Sequence, residues 1–247
     1  MPRLLLPVAG ALLCGASAAC ANVAPPNILV ILADDLGYGD VGCYHPQSKI
    51  PTPHLDRLAR EGMRFTDAHS PATVCTPTRY GIMTGQMPFR IPRGGTVFTG
   101  AGGPSLITEE RLTLPEMLRA KGYATAAVGK WHLGLTFRDQ QGQAIHDGAP
   151  EAVNRIDFSR RIEGGPLDHG FDSFFGTACC PTTDWLYAFI ENDRIPVPPM
   201  TKLDKSALPD HPYSKDCRAG VIAPGFPMED VDFVFLKQSR QFLAQHE

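Results

Sequence analysis

Apolar residues follow two alternating rhythms along this chain. Residues 27–33, Asn-Ile-Leu-Val-Ile-Leu-Ala, form an unbroken aliphatic run that gives way to polar residues and glycine. A run without polar alternation predicts a strand covered on both faces, as in a parallel sheet. Residues 52–62 then change period, with Thr52 as a cap, Pro53 in the first turn, Leu55, Leu58 and Ala59 at helical spacing, and Gly62 as a stop. Residues 63–68 read as a short returning strand. The same grammar recurs at Thr113-Leu114-Pro115-Glu116, a capping box opening a helix that stops at Gly122 and leads into a strand at 123–128. Strands alternating with capped helices predict an α/β fold with helices on the faces of a sheet.

Two stretches, 135–165 and 195–227, are polar and rich in Pro and Gly, and are expected to run over the surface as long, substrate-facing loops. Residues 228–247 mix Val231, Val234, Phe235, Phe242 and Leu243 with charges and predict an amphipathic helix. No internal repeat or low-complexity tract interrupts the pattern.

The first residues stand apart. Arg3 precedes an apolar stretch at 4–16, followed by the small-residue cleavage candidates Ala16-Ser17-Ala18 and Ala19-Cys20-Ala21. This is the pattern of a secretory signal peptide over 1–21; the run is short for a bilayer span and is broken by Pro7 and Gly10. Residues 22–247 are then expected as an exported chain, periplasmic or extracellular, or lysosomal in a eukaryote. No later segment is apolar for long enough to span a membrane.

Export changes how the cysteines are read. Of seven, Cys14 and Cys20 would leave with the signal, so Cys43, Cys75, Cys179, Cys180 and Cys217 remain. An odd number implies one sulfur that is free, shared between chains or chemically converted, while the others are open to pairing. The net charge of -3, with Lys and Arg scattered, supplies no footprint for nucleic acid or an anionic membrane. Any anion must therefore be held locally.

Three segments could do so. In Cys75-Thr76-Pro77-Thr78-Arg79-Tyr80-Gly81-Ile82-Met83-Thr84-Gly85, Thr76 is expected to cap a helix running from Pro77 to Gly85, which sets Cys75 at its positive end. Asp34 and Asp35 stand at the end of the first predicted strand, where adjacent carboxylates either bind a hard cation or simply shape a turn. Gly129-Lys130-Trp131-His132-Leu133-Gly134 follows the later strand, offering an ammonium for an oxyanion and an imidazole for proton transfer.

Cys75 followed by Pro77 and Arg79 resembles the signature of type I sulfatases, extended by Gly81 and Thr84-Gly85. The family commonly has Ser between the proline and the arginine, where this chain has Thr78. The run 26–39 and the segment 129–134 resemble further motifs of the same family, and the likeness spans roughly residues 26–175. The resemblance implies the α/β fold shared with alkaline phosphatases, a large mixed sheet between helices, of which this chain supplies an incomplete N-terminal portion. It implies sulfate-ester hydrolysis through a formylglycine made from Cys75 by a formylglycine-generating maturation enzyme. A thiolate would be left with a sulfur-bound sulfate, whereas the aldehyde hydrate has a second hydroxyl to expel it.

By the same resemblance, Asp34, Asp35 and the modified Cys75 bind Ca2+, Lys130 binds sulfate, His132 assists turnover of the hydrate, and Arg79 steadies developing charge. Sulfated small molecules or glycans are the implied substrates. The motif Asp168-His169-Gly170-Phe171-Asp172 and Asp40 are read as structural. The family's further Asp and Asn or His for calcium, and a second Lys and His for sulfate, match nothing here, so a truncated chain is expected. The alternatives are a phosphonate or phosphodiester hydrolase of the same superfamily and an inactive sulfate-binding fragment.

Overall fold

The computed structural model describes residues 24–91 and 97–246, so the signal segment expected at 1–21, with Cys14 and Cys20, lies outside the described residues. The chain divides into two units, Met1–Met63 and Arg64–Glu247.

In the first unit the run at 27–33 takes no strand conformation, and its side chains are exposed, Ile31 at 79% and Leu29 at 65%. The expected central strand is thus absent here. A strand buried on both faces exists only where neighbours bond to both of its edges, and no described segment pairs with this run. Helix α1, Pro53–Glu61, forms as expected with Gly62 at its end. Thr52 does not cap it in the expected way: its Oγ1 accepts from Gly42 N at 2.8 Å and donates to Asp56 Oδ1 at 3.1 Å. Asp56 also accepts from Cys43 N at 2.7 Å, so the helix's first turn holds the preceding loop.

The second unit carries the architecture. Helix α2 spans Cys75–Thr84 and α3 Leu114–Arg119. The capping box of α3 is formed in full, since Glu116 N donates to Thr113 Oγ1 at 3.3 Å and Thr113 N to Glu116 Oε2 at 2.8 Å. Strand β1, Ala126–Lys130, starts three residues later than the pattern predicts, while 63–68 stays irregular. Short strands β2 (Phe137–Arg138) and β3 (Ala144–Ile145) pair antiparallel. Strand β4, Ser173–Thr177, lies parallel to β1 and antiparallel to β6, Ile190–Glu191, giving the order β1-β4-β6. A second small sheet joins β5 (Leu186–Tyr187), β8 (Val221–Ile222) and β7 (Thr201–Lys202), with α4 at Pro212–Asp216. The expected α/β class with mixed pairing holds. The sheet is incomplete, as expected: the described strands form two three-stranded sheets and the two-stranded β2-β3 pair.

The β1-β4 pair is drawn unusually close at Gly129↔Gly176, where a Cβ on Gly176 would lie 1.8 Å from the Gly129 carbonyl oxygen. Helix α5, Val231–Gln245, packs on both strands, with Phe235 edge-on to Phe175 at 6.5 Å and to Phe189 at 5.9 Å. The stretches expected as surface loops are packed only in part: residues 196–216 hold no buried residue, as expected, while other positions turn inward. Leu135, Phe137, Ile145, Val153, Ile156 and Ile162 from the first are buried, as are Ile195, Ala223 and Phe226 from the second. Several of these residues lie in two-residue strands or a single 3-10 helix, elements too short to leave a helical or strand period in the sequence.

Candidate active site

Helix α2 begins at Cys75 itself, two residues earlier than the sequence predicts, after an extended Val74. Cys75 is half-buried in the first turn, at the end where the helix dipole is positive. Thr76 is fully buried and is not the cap. Its hydroxyl donates instead to the main-chain carbonyl of His132 at 2.9 Å. Thr78, in the place where Ser is common, donates through Oγ1 to Ala72 O at 2.9 Å. That bond needs only a hydroxyl, which Ser and Thr share. Gly85 ends the helix in the left-handed region, φ 65°, as expected of a glycine just past a helix end.

Strand β1 delivers the second motif. Its parallel pairing extends beyond Lys130, with Trp131 N donating to Thr177 O at 3.0 Å and His132 N to Ala178 O at 2.9 Å. The chain then turns at His132, which takes φ 58°, an uncommon conformation for a side-chain-bearing residue. The ring is buried, and its Nε2 donates to Phe98 O at 2.6 Å. Only a protonated nitrogen can donate to a carbonyl, so Nδ1 is the basic nitrogen of the neutral ring.

Two hydrogen bonds staple these motifs together: Thr76 Oγ1 to His132 O, and Arg79 Nη1 to Lys130 O. Cys75, Arg79, Lys130 and His132 are therefore carried on one helix start and one strand end, with the helix's Thr76 and Arg79 side chains holding the backbone of the strand end. Open sheets bind ligands beyond the carboxyl ends of parallel strands, where the 130–132 turn sits.

The surroundings are structural. His169 is buried, stacks on Trp131 at 6.1 Å and bonds Ser105 Oγ through Nε2 at 3.0 Å, and burial pushes its pKa below the ordinary 6.5. Asp172 Oδ2 accepts from Thr125 N at 2.9 Å. Behind β4, burial pushes the Cys179 thiol well up and raises Asp184. No disulfide joins Cys43, Cys75, Cys179, Cys180 or Cys217 among the described residues, so the pairing left open above does not occur there.

In the first unit, Asp34 and Asp35 form an exposed bend, with Asp35 at φ 60°. Asp40 behaves as the structural residue expected, accepting from Gly37 N at 2.9 Å. Two neighbouring carboxylates suit a hard divalent cation in donor chemistry. Among the described residues no group of three or more His, Cys, Asp or Glu side chains is gathered to hold a metal ion.

A sequence model of the sulfatase family matches residues 26–245. The chain belongs to the sulfatase family. Mouse steryl-sulfatase is 42% identical over 167 residues, 65% of this chain and 23% of that protein. Human arylsulfatase A is 37% identical over 203 residues, 80% of this chain and 36% of that protein. Among solved structures, one from work on the metabolism of multiple glycosaminoglycans by Bacteroides thetaiotaomicron aligns with a TM-score of 0.68 at 27% identity, covering 90% of this chain and 48% of that one. The sulfatase chain thus spans between 23% and 36% of the length of these curated relatives.

For a sulfatase, the sequence motifs single out the candidate side chains that the structure brings together and miss the residues that brace them. Thr76 is read as a cap when it is a buried brace, and Phe98 and Asp184 carry no signature. Phe98 acts through its carbonyl, which no side-chain pattern can report. Asp184 lies in a loop of Pro, Thr and Trp without period.

Proposed function

We propose that this protein is an exported sulfate-ester hydrolase that works through a formylglycine made from Cys75, with residues 22–247 forming the N-terminal portion of the catalytic domain behind a signal at 1–21. The observation that carries it is the pair of bonds that fastens the Cys75 helix to the Lys130–His132 turn. Oxidation of Cys75 by its maturation enzyme with molecular oxygen, with loss of the thiol sulfur, would supply a hydrated aldehyde: one hydroxyl would attack the ester sulfur as the S–O bond to the alcohol breaks and the alcohol departs, and the other would expel sulfate as the aldehyde re-forms. Lys130 binds the sulfate oxygens, Arg79 offsets developing negative charge, and His132 takes the proton from the second hydroxyl through Nδ1. Asp34 and Asp35, with the modified Cys75, are the proposed donors to Ca2+, whose charge would polarise the ester. Among the described residues no helix is long and apolar enough to cross a membrane. Sulfated small molecules or glycans are the proposed substrates, and a formylglycine-generating enzyme the maturation partner.

Co-expression with such an enzyme tests the reading. The Cys75 peptide should carry an aldehyde that captures a hydrazide, and 4-nitrophenyl sulfate hydrolysis should fall by on the order of 10^4-fold or more in Cys75→Ala. An intact thiol at Cys75 with undiminished hydrolysis would overturn it, and faster turnover of aryl phosphate than aryl sulfate would move it to phosphoryl transfer.

A further inference from the structure

The bond from His132 to the Phe98 carbonyl sets which ring nitrogen is basic, so whatever holds Phe98 in place controls His132. The turn that carries Phe98 has Gly102 N bonded back to Thr99 O at 2.8 Å. At its centre Gly100 lies in the left-handed region, φ 53°, with the space of a Cβ crowded by Val153 Cγ1 at 3.2 Å and Trp185 Cε3 at 3.4 Å. Both polar groups of Gly100 are taken by the segment after β4: its N–H donates to Asp184 Oδ1 at 2.7 Å, and its carbonyl accepts the Cys179 thiol at 3.9 Å. Asp184 is 2% exposed and its Oδ1 also accepts from Trp185 N at 2.7 Å. Arg218 lies over the Trp185 ring at 4.6 Å, a positive charge on the Asp184 side of the loop.

We propose that Asp184 is a positioning residue for His132: through the Gly100 amide it fixes the turn whose Phe98 carbonyl holds the imidazole in its Nε2–H form. A buried carboxylate is expensive to desolvate, and here its acceptor capacity is directed at main-chain N–H groups, one of them two residues from Phe98. Partners that orient a ring through its far nitrogen tune the basicity of the near one. The role of Nδ1 as a base rests on the hydrolase reading above; the tautomer itself does not.

The test compares wild type with Asp184→Asn and Asp184→Ala in the full chain. Imidazole 15N shifts, assigned to His132 by comparison with His132→Asn, report the tautomer, and 4-nitrophenyl sulfate turnover reports its consequence. Wild type should show His132 as Nε2–H, and Asp184→Asn, which keeps an acceptor for Gly100 N, should match it. Asp184→Ala should give mixed tautomers and lower kcat by ~10-fold, with KM unchanged and the acidic limb of the pH profile displaced. If Asp184→Ala does not fold, Asp184→Glu, which keeps the charge and displaces the acceptor, should show the same loss. A wild-type tautomer in folded Asp184→Ala or Asp184→Glu would overturn the proposal. A protein without sulfatase activity whose tautomer still responds to Asp184 would sink the hydrolase reading alone.

Discussion

Strand β1 and the aliphatic run at 27–33 both lead into a motif of ionisable residues, yet only β1 is bonded into a sheet. Ala126–Lys130 pairs with β4 along its length, α5 covers it, and the residues just beyond it are buried, Trp131 at 5% exposure and Leu133 at 1%. The run at 27–33 is the more apolar of the two and leaves Ile31 at 79% exposure. Hydrophobicity says that a segment gains by burial; it does not supply the partner. A β-strand's N–H and C=O groups must be met by neighbouring strands, and those come from elsewhere in the sequence. The same holds for the motifs: Lys130 and His132 are fixed by a ladder that runs on to Ala178 O, whereas Asp34 and Asp35 follow a segment with none.

Hydrogen exchange of the 247-residue chain gives the sharpest contrast. Amides at 27–33 should exchange near the free-peptide rate, while those of β1, Trp131 and His132 open only with larger unfolding. The difference should reach several kcal/mol, on the order of 10^3-fold or more in rate. Equal protection at 27–33 would show that this run finds strand partners in solution and would erase the comparison.

What was legible in the sequence follows from the same distinction. Capping boxes, proline at helix starts and glycine at helix ends act within a few residues, so α1, α2 and α3 were all visible, with ends shifted by one to three residues. The helix α5 announced itself by its mixed apolar face. The candidate site residues Cys75, Arg79, Lys130 and His132 stood out because they lie in short motifs. The braces did not, because Thr76 reaches 56 residues along the chain and Gly100 reaches 84 residues to Asp184. The packed stretches around Val153 and Phe226 were misread as surface because their apolar residues carry no period.

Thr76 offers a smaller and more local probe of the stapled region. Thr76→Val keeps the shape and removes the donor, leaving a His132 carbonyl deprived of that bond inside the structure. The expected loss is about 1–3 kcal/mol in urea unfolding. Because the bond joins the Cys75 helix to the β1 end, turnover should fall along with stability, whereas a matched stability loss at Thr52, in the first unit, should leave turnover of the residual folded protein unchanged. Equal effects of the two would mean that the staple adds nothing beyond general stability.

The mildest expected effect is on pH dependence, through His169 beneath Trp131. Burial lowers its pKa below the ordinary 6.5, although Asp168, Glu116 and Glu109 pull the other way. In the unfolded chain the ring takes up a proton as pH falls through about 6.5, and in the folded chain it does so only at lower pH. Above that range both states are neutral at this ring and it contributes no slope. Below it the unfolded state binds the extra proton, so stability declines as pH drops, by at most about 1.4 kcal/mol per pH unit. His169→Gln keeps a polar group for Ser105 and removes the titration. The stability difference between wild type and variant should be constant above about pH 6.5 and shift toward the variant below it. A difference that stays flat down to about pH 5 would mean that His169 protonates freely in the folded protein. The ring could not then be sealed against Trp131, and the floor under the Lys130–His132 turn would be looser than the buried, stacked pair requires.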